Sequence, residues 1–363
     1  MKIYFHIASL GNGGAERVIA NLSSEFAMHG HEVTIVTCVD LESEYKVNES
    51  VKRYKLFRDD DGKTFLRHIK RIFRLRKMIL KDNPDVIISF MADSNIRAIF
   101  ATLFLQTKSI YSVRNVPEIE YGSSFWFTMI TRFLFKCANG GVFQTQAAKE
   151  WFPKSIQKKS TIIYNPINNS FFKINRSPIP GKIIACGRLS KEKNHKMLIS
   201  AFSHVVKIHP KCKLYIYGIG ELHDELQRQI EVLNLLENVF LMGRTSCVEE
   251  TLKEAEIFVL SSDFEGMPNA LMEAMAVGVP CISTDCPCGG PRALLESGRN
   301  GVLVPVKDER AMTQAIIDLL DDKRRKMTYS ENAKAATINF TQEKIYQQWL
   351  AYIKSLMREQ SLE

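Results

Sequence analysis

The sequence predicts an α/β protein with two Rossmann-like parallel sheets in series. Short β-branched segments alternate with helix-period segments along the whole chain, which is typical of β-α repeats around a parallel sheet. The chain has 363 residues, too many for one ordinary core and enough for two domains of roughly 150 to 200 residues each. Residues 165–181, rich in Pro and Asn and without a periodic pattern, predict the linker between them.

Each half contains six predicted strands. They are residues 2–9, 32–39, 85–90, 108–113, 140–145 and 160–164 in the first half, and 182–188, 213–218, 239–242, 257–261, 280–284 and 302–304 in the second. The last segment, residues 341–356, has its apolar side chains spaced as one face of a helix, which needs a surface to cover. The first residues predict a strand rather than a signal peptide. Every apolar run falls short of the ~18 residues that span a bilayer.

Composition excludes several classes of protein. With 45% hydrophobic and 25% charged residues, the chain is neither disordered, collagen-like nor a disulfide scaffold. Its eight cysteines are scattered and form no C-x-x-C pair. We therefore expect reduced thiols in a cytosolic protein.

The net charge of +9 lies entirely in the first half. Residues 1–175 carry 25 Lys/Arg against 16 Asp/Glu, whereas the rest carries 24 of each. Residues 63–81 hold eight basic side chains, no acidic one and an apolar face that includes Phe73. This pattern is typical either of a helix on an anionic membrane surface or of a crossover helix with solvated charges. The membrane-contact candidates are Arg67, Lys70, Arg71, Arg74 and Lys77.

Two further patterns concern partners. The aromatic-rich segment 125–135 is either core or a membrane-dipping surface. Nucleic acid is not an expected partner, because the basic residues form no interleaved basic-aromatic motif and no zinc-finger pattern is present.

A glycine-rich loop, Gly11-Asn12-Gly13-Gly14-Ala15-Glu16, follows the first strand and opens a helix. Backbone N–H groups and the helix dipole favour an anion at such a place. Glu16 stands where the dinucleotide fingerprint needs glycine, so NAD binding is not supported. The loop predicts close approach of a phosphate or sugar at Gly13 and Gly14, with a purely structural turn as the alternative.

The second half carries two loops of the same kind. After the strand ending near residue 188, Arg188 and Lys193 are placed to clamp a diphosphate. After the strand ending near residue 261, Pro268 and Asn269 predict a helix start whose N–H groups face an anion. Glu265 and Glu273 lie eight residues apart across that turn. Carboxylates accept hydrogen bonds from vicinal hydroxyls, and a nucleoside diphosphate sugar has a hydroxylated ring at each end.

These segments together resemble the retaining glycosyltransferases of the two-domain GT-B fold, specifically glycosyltransferase family 4. The resemblance rests on the Gly13-Gly14 loop, the Asn165-Pro166 hinge, the loop 187–194 and Glu265-x7-Glu273. The motif 286–292 is similar to that of members that build bacterial surface polysaccharides and lipid-linked oligosaccharides. The resemblance implies two domains facing a cleft: residues 1–168 plus 341–363 for the acceptor and 176–340 for the donor. The C-terminal helix would cross back to the N-terminal domain.

The resemblance also implies a role for each matching residue. Arg188 and Lys193 would bind the donor diphosphate and stabilise the leaving group. Glu265 would hold hydroxyls of the donor sugar and Glu273 those of the ribose. The other implied donor-binding residues are Gly13, Gly14, Gly187, Gly266, Met267, Asn269, Ala270 and Leu271.

The implied acceptor-side residues are Glu16, Arg114 and Asn115. The last two follow the fourth predicted strand, where family members commonly carry a His and this chain has none. Arg114 and Asn115 are the nearest substitutes for that His, with ordinary loop residues as the alternative. Retaining members are thought to use the departing phosphate as the base for the acceptor proton, which makes a dedicated side-chain base unnecessary.

The implied function is transfer of a hexose or N-acetylhexosamine from a UDP-linked sugar to a lipid-linked or polysaccharide acceptor. The protein would be cytoplasmic and peripheral at the inner face of the cell membrane. No cofactor or metal is expected, because the Asp-x-Asp in residues 59–61 precedes the basic helix instead of following a strand. The alternatives are an epimerase or phosphorylase of the same fold, and a non-catalytic subunit that binds sugar or membrane.

Overall fold

The computed structural model describes residues 1–11, 13–56, 65–122, 124–245 and 247–358. The Asp-x-Asp of residues 59–61 lies outside the described residues, as does Lys63. The chain divides into two compact units: unit 1 is Met1–Pro166 with Gln342–Glu363, and unit 2 is Ile167–Thr341. Each unit is an α/β domain built on one parallel sheet.

The strands of the described chain are β1 (Lys2–Ile7), β2 (Glu32–Thr37), β3 (Lys52–Lys55), β4 (Val86–Phe90), β5 (Lys108–Ser112), β6 (Gly140–Phe143), β7 (Ser160–Ile162), β8 (Lys182–Cys186), β9 (Lys213–Tyr217), β10 (Val239–Gly243), β11 (Ile257–Leu260), β12 (Cys281–Thr284) and β13 (Val302–Val304).

The helices are α1 (Gly14–Met28), α2 (Phe65–Asp82), α3 (Ala92–Thr102), α4 (Pro117–Tyr121), α5 (Phe125–Cys137), α6 (Gln146–Glu150), α7 (Lys154–Lys158), α8 (Asn169–Phe172), α9 (His195–Ile208), α10 (His223–Val232), α11 (Val248–Lys253), α12 (Asn269–Val277), α13 (Gly290–Leu294), α14 (Glu309–Asp321), α15 (Lys323–Thr337) and α16 (Gln342–Arg358). Short 3₁₀ turns lie at Lys191–Lys193, Glu296–Gly298 and Ile338–Phe340.

Unit 1 contains a seven-stranded sheet, within the described residues, of order β3-β2-β1-β4-β5-β6-β7. All six strands predicted for this half are confirmed. The sequence prediction missed β3, because every residue of this edge strand is exposed and it has no apolar face. Central strands are buried on both faces: Phe5 of β1 lies between Ile35 of β2 and Ile88 of β4.

The helices of unit 1 form layers on opposite faces of its sheet. The strand order runs one way from β1 through β2 to β3 and the other way from β4 onward, and right-handed crossovers then place α1 on one face and α2, α3 and α5 on the other. Within the second layer α3 packs beside α2 and also beside α5.

The described part of unit 2 contains a six-stranded sheet of order β10-β9-β8-β11-β12-β13, and its six predicted strands are confirmed. Ile184 of β8 pairs with Tyr215 on one side and Phe258 on the other. The strand order of each sheet reverses at its centre, at β1/β4 and at β8/β11. In open α/β sheets, ligands bind outside the carboxyl ends of the strands at this switch point.

The C-terminal helix α16 packs on unit 1, as predicted. It buries Ile345, Tyr346, Trp349, Ile353 and Leu356. The Tyr346 ring contacts Phe26 edge-on, with centroids 4.8 Å apart, and Trp349 stacks on Phe90. The apolar face read from the sequence is therefore the face that covers α1.

Among the described residues, every helix is too short or too polar to cross a bilayer.

Candidate active site

Three loops of unit 2 converge at the carboxyl ends of adjacent strands. Residues 187–194 follow β8, residues 261–268 follow β11 and residues 285–289 follow β12, and these three strands are neighbours in the sheet. The carboxyl ends of parallel strands share one edge. The two most distinctive motifs of the sequence are thus brought together there.

An ion pair joins the first two loops. The Nζ atom of Lys193 donates a hydrogen bond to Oε1 of Glu265, and Ser262 Oγ donates to the same oxygen at 2.8 Å. The side chains of Lys193 and Glu265 are mostly buried. Ser261 Oγ also donates to the carbonyl oxygen of Lys193 at 2.9 Å. The ammonium and the carboxylate are therefore held by both loops.

Two further hydrogen bonds join the same two loops. Asn194 Nδ2 donates to Asp263 Oδ1 at 2.8 Å, and the Asp263 N–H donates to the carbonyl of Glu192 at 2.8 Å. Asn194 has a left-handed backbone, with φ of 45°, and its Oδ1 accepts from the Met197 N–H at the start of α9. Asn is one of the few residues that tolerates this conformation while capping a helix.

Arg188 points outward from this crossing. Its side chain is 64% exposed, and its nearest carboxylate is Glu192 at 4.0 Å. A guanidinium with so loose a partner is accessible to an anionic ligand. The loop after β8 thus carries two cations: Lys193, mostly buried and paired with Glu265, and Arg188, which is exposed.

Glu273 is buried in α12, only 8% exposed. Burial, followed by the nearby Glu273 carboxylate, raises the pKa of the Cys186 thiol to about 12. Glu273 therefore lies close to the end of β8. The helix α12 begins at Asn269 after Pro268, with Met267 and Leu271 buried and Ala270 half-buried. The N–H groups of a first helical turn lack intrahelical acceptors, and the helix dipole favours a negative charge beside them.

The loop after β12 braces the loop that carries Glu265. A Cβ on Gly290 would overlap the carbonyl oxygen of Gly266, so only glycine allows this approach. The Cys286 thiol donates to the carbonyl of Ser262 at 3.1 Å, and burial raises its pKa to about 12. All eight cysteines are free, in line with the expected reduced thiols.

Sequence reasoning did not single out four residues of this site: Ser262, Asp263, Asn194 and His195. His195 is buried, and burial followed by the charge of Lys193 lowers its pKa to about 4. Its ring lies beside the backbone of Gly187 and Arg188. In the sequence, only their position next to Lys193 or Glu265 marks these four residues as candidates for the site.

In unit 1 the glycine-rich loop opens α1, whose first helical residue is Gly14 and whose N-cap is Gly13. A Cβ on Gly13 would overlap the Glu16 carboxylate, which therefore folds back over the helix start. A carboxylate is stabilised there by the helix dipole. A ligand at Gly13 and Gly14 would meet hydrogen-bond acceptors of Glu16, which suits hydroxyl groups. Asn12 lies outside the described residues.

The guanidinium of Arg114, an acceptor-side candidate, lies buried inside unit 1. Its Nη1 donates to Asn165 Oδ1 at 2.7 Å, and it stacks 3.9 Å from the centroid of Phe90. Burial lowers the pKa of Arg114 to about 9. The hydrogen bond ties Asn165, the first residue of the predicted linker, to the core of unit 1. Asn115 is half-buried and its side chain accepts from the Val116 N–H.

Arg71 and Phe73 correct the reading of α2. The face of α2 that packs on unit 1 carries Arg71, Leu75 and Ile79, whereas Phe73 is 66% exposed. Arg71 is buried where its charge helps lower the pKa of His6, after burial and Arg97. It is thus removed from any membrane contact.

The other membrane-contact candidates lie at or near the surface. Lys70 and Lys77 are exposed, while Arg67 and Arg74 are half-buried, and Arg74 Nη1 donates to the carbonyl of Leu56 at 2.9 Å.

Among the described residues, one cluster has metal-ligand chemistry: Glu25, His29 and Glu343, with ligand atoms within 4.8 Å of one another. His29 Nε2 lies 3.1 Å from Glu343 Oε2, so the cluster also joins α1 to α16.

Residues 12–171 match the family model described as Glycosyltransferase Family 4, and residues 167–336 match that of Glycosyl transferases group 1.

A relative in Campylobacter jejuni is 29% identical over 97% of this chain and 98% of its own length. It is the GalNAc-alpha-(1->4)-GalNAc-alpha-(1->3)-diNAcBac-PP-undecaprenol alpha-1,4-N-acetyl-D-galactosaminyltransferase.

Two solved structures share the architecture. HepE of Anabaena in complex with UDP has a TM-score of 0.83 at 19% identity, covering 98% of this chain and 100% of HepE. Sucrose-phosphate synthase of Thermosynechococcus elongatus has a TM-score of 0.84 at 17% identity, covering 99% of both chains.

Proposed function

Since this chain belongs to the family 4, group 1 glycosyltransferases of the GT-B fold, we propose that it transfers a hexose or N-acetylhexosamine from a UDP-linked sugar, with retention, to a lipid-linked or polysaccharide acceptor. The observation that carries the proposal is the Lys193–Glu265 ion pair at the crossing of two loops, beside the exposed Arg188.

The geometry supports a donor site in unit 2. Lys193 keeps the Glu265 carboxylate paired in a mostly buried place, where it can accept hydrogen bonds from sugar hydroxyls. Arg188, Lys193 and the first turn of α12 supply the positive field that a departing diphosphate needs. Glu273 would take the ribose hydroxyls. HepE was solved with UDP, which supports a uridine donor.

The proposed reaction balances without a side-chain base. The bond between the anomeric carbon and the diphosphate oxygen breaks as the acceptor oxygen bonds to the same face of that carbon. The acceptor proton passes to the departing phosphate. Because Arg188 and Lys193 meet the diphosphate charge, we propose no metal and no cofactor.

In this proposal unit 1 binds the acceptor, and helix α2 of unit 1 contacts the membrane. Unit 1 carries 27 Lys/Arg against 19 Asp/Glu, whereas unit 2 carries 22 against 21. The Campylobacter relative is named for an undecaprenol diphosphate acceptor, which supports an anionic lipid-linked acceptor. The protein would then be cytoplasmic and peripheral at the inner membrane face.

The test is sugar transfer from a panel of UDP-sugars to lipid-linked acceptors. Arg188→Ala and Glu265→Ala are each expected to lower turnover about 100-fold or more, the cost of removing one charge-stabilising group. Glu225→Ala is the matched control, because Glu225 pairs with Lys196 on the exposed surface of the same unit. If either site variant stays within about twofold of wild type, the site assignment is wrong.

The same assay separates the alternatives. An epimerase would consume donor without acceptor, and a phosphorylase would require inorganic phosphate. A non-catalytic subunit would consume no donor under any condition. A ligand that binds only the folded state raises thermal stability in proportion to ln(1 + [L]/Kd). Stabilisation by UDP without any turnover therefore identifies the non-catalytic, sugar-binding subunit.

A further inference from the structure

A stripe of large apolar side chains on α5 faces solvent. Its members are 49% to 74% exposed: Phe125, Trp126, Met129, Ile130 and Phe133. Their spacing is that of one helical face. The opposite face buries Thr131, Leu134 and Phe135 in unit 1. Apolar residues thus occupy both faces of α5, but only one face is covered.

Single exposed apolar side chains are ordinary, whereas a row of five marks an interaction surface. The rings of Phe125 and Trp126 meet edge-on, with centroids 5.6 Å apart. The helix therefore begins with an exposed aromatic pair. Tryptophan with other large apolar residues is the composition that settles at the headgroup level of a bilayer.

Charge around the stripe is complementary to anionic lipid. The sequence from 121 to 149 has no Asp or Glu, and its cations are Arg132, Lys136 and Lys149. In the same helix layer α2 exposes Lys70, Lys77 and Lys81. Apolar side chains flanked by lysines match an anionic bilayer surface. A second copy of this face would bring like charges together.

The direction of α5 aligns this stripe with the proposed acceptor side. The helix starts on the carboxyl side of β5, so Phe125 and Trp126 lie toward the same sheet edge as Gly13 and Asn115. A bilayer touching the start of α5 is therefore adjacent to the edge where a lipid-linked acceptor would enter.

We propose that the α5 stripe inserts into an anionic bilayer while the exposed lysines of α2 contact the headgroups. The inference deepens the proposed function, on which its link to a lipid-linked acceptor rests. In this arrangement α5 penetrates the apolar part of the bilayer, and the lysines of α2 attract the anionic headgroups.

The first test is sedimentation with phosphatidylcholine vesicles, with and without phosphatidylglycerol. The variant Phe125→Ser/Trp126→Ser/Phe133→Ser is expected to lower partition to the anionic vesicles about 10-fold or more, because buried apolar area sets interfacial affinity. The matched control is Ile208→Ser/Val232→Ser/Leu236→Ser, three similarly exposed apolar residues of unit 2. Equal partition of the two variants would overturn the proposal.

The second test uses wild-type protein and a single substitution, so it does not depend on whether the triple variant folds. Trp126 is exposed, whereas Trp151 is half-buried and Trp349 is buried. Lipids brominated in the acyl chains should quench the fluorescence of wild type, and Trp126→Phe should lose that quenching while still binding. Binding without quenching, fully reversed by salt, would show a headgroup contact only and contradict insertion.

Both tests are independent of catalysis. Vesicle binding and quenching require no substrate, so a protein that inserts but transfers no sugar refutes the proposed function and not the inference. Conversely, transfer to a water-soluble acceptor fragment should be unchanged in the triple α5 variant. If wild type forms dimers that this variant loses, and binds no vesicles, the stripe is an interface between copies and the inference fails.

Discussion

At the residue scale, the candidate site depends on charges whose partners are fixed by contacts between loops. Glu265 accepts hydrogen bonds from Lys193 and from Ser262. The residues that follow those two donors, Asn194 and Asp263, form a second hydrogen bond between the same loops. Such a network holds a carboxylate in one rotamer. This pre-organisation is what a site that binds hydroxyls around developing charge requires.

Unit 1 holds an unusual carboxyl group in Glu120. Its carboxyl group is buried beside Arg114 and Tyr121. Burial raises the pKa of Glu120 to about 7 from its ordinary 4.5. The stabilisation from its protonated form is fully present below pH 4.5 and is lost as pH rises through 7.

We expect Glu120→Gln to become progressively more stable than wild type as pH rises from 4.5 to above 7. The change is about 3 kcal/mol, since one pKa unit corresponds to about 1.4 kcal/mol. Urea unfolding at a series of pH values measures it. Glu118→Gln, an exposed carboxylate on the same helix, should show no comparable trend. A pH-independent difference for Glu120→Gln would refute the burial argument.

At the scale of elements, the approach of two loops depends on one glycine. Gly290 touches the carbonyl of Gly266, next to Glu265. The neighbouring Gly289 has open space around it and a left-handed backbone, with φ of 68°. The two glycines of the motif 286–292 therefore serve different purposes: Gly289 permits the turn and Gly290 permits the contact.

We expect Gly290→Ala to lower kcat/KM for the donor about 10-fold or more, because the added methyl displaces the loop that carries Glu265. Gly289→Ala should cost about 1 kcal/mol of stability through backbone strain and change kcat/KM by less than about threefold. Steady-state kinetics of both variants measure the split. Equal kinetic effects of the two substitutions would rule out a specific role for the Gly290 contact.

Among the helices, α2 and α5 show how an amphipathic pattern can be ambiguous. The sequence of α2 offers two apolar lines, one with Phe73 and one with Leu75 and Ile79, and unit 1 buries the second. In α5 most positions on both faces are apolar, so periodicity does not distinguish core from surface.

At the scale of the whole molecule, the charge is divided between the units. The excess of Lys and Arg belongs almost entirely to unit 1, whereas unit 2 is nearly neutral. Long-range attraction to an anionic surface would therefore act on unit 1, and it is screened within about 10 Å at 0.1 M salt.

Raising salt from about 0.05 to 0.5 M should release the attracted fraction from anionic vesicles and leave a salt-resistant fraction held by α5. Lys70→Glu/Lys77→Glu should remove the attraction, because both side chains are exposed on α2. The control is Lys207→Glu/Lys211→Glu, two exposed lysines of unit 2. Sedimentation across a salt series measures all three proteins. Equal losses in the two variants would show that net charge alone matters.

The sequence by itself determined the α/β class, twelve of the thirteen strands of the described chain, the loops that hold Arg188, Lys193 and Glu265, and the start of the helix that holds Glu273. These features are local, since periodicity and turn chemistry act over a few residues. Tertiary structure alone decided that Lys193 touches Glu265, that Arg114 lies inward and that the α5 stripe is uncovered. Each depends on segments distant in sequence, whose packing selects among faces that a local pattern leaves equivalent.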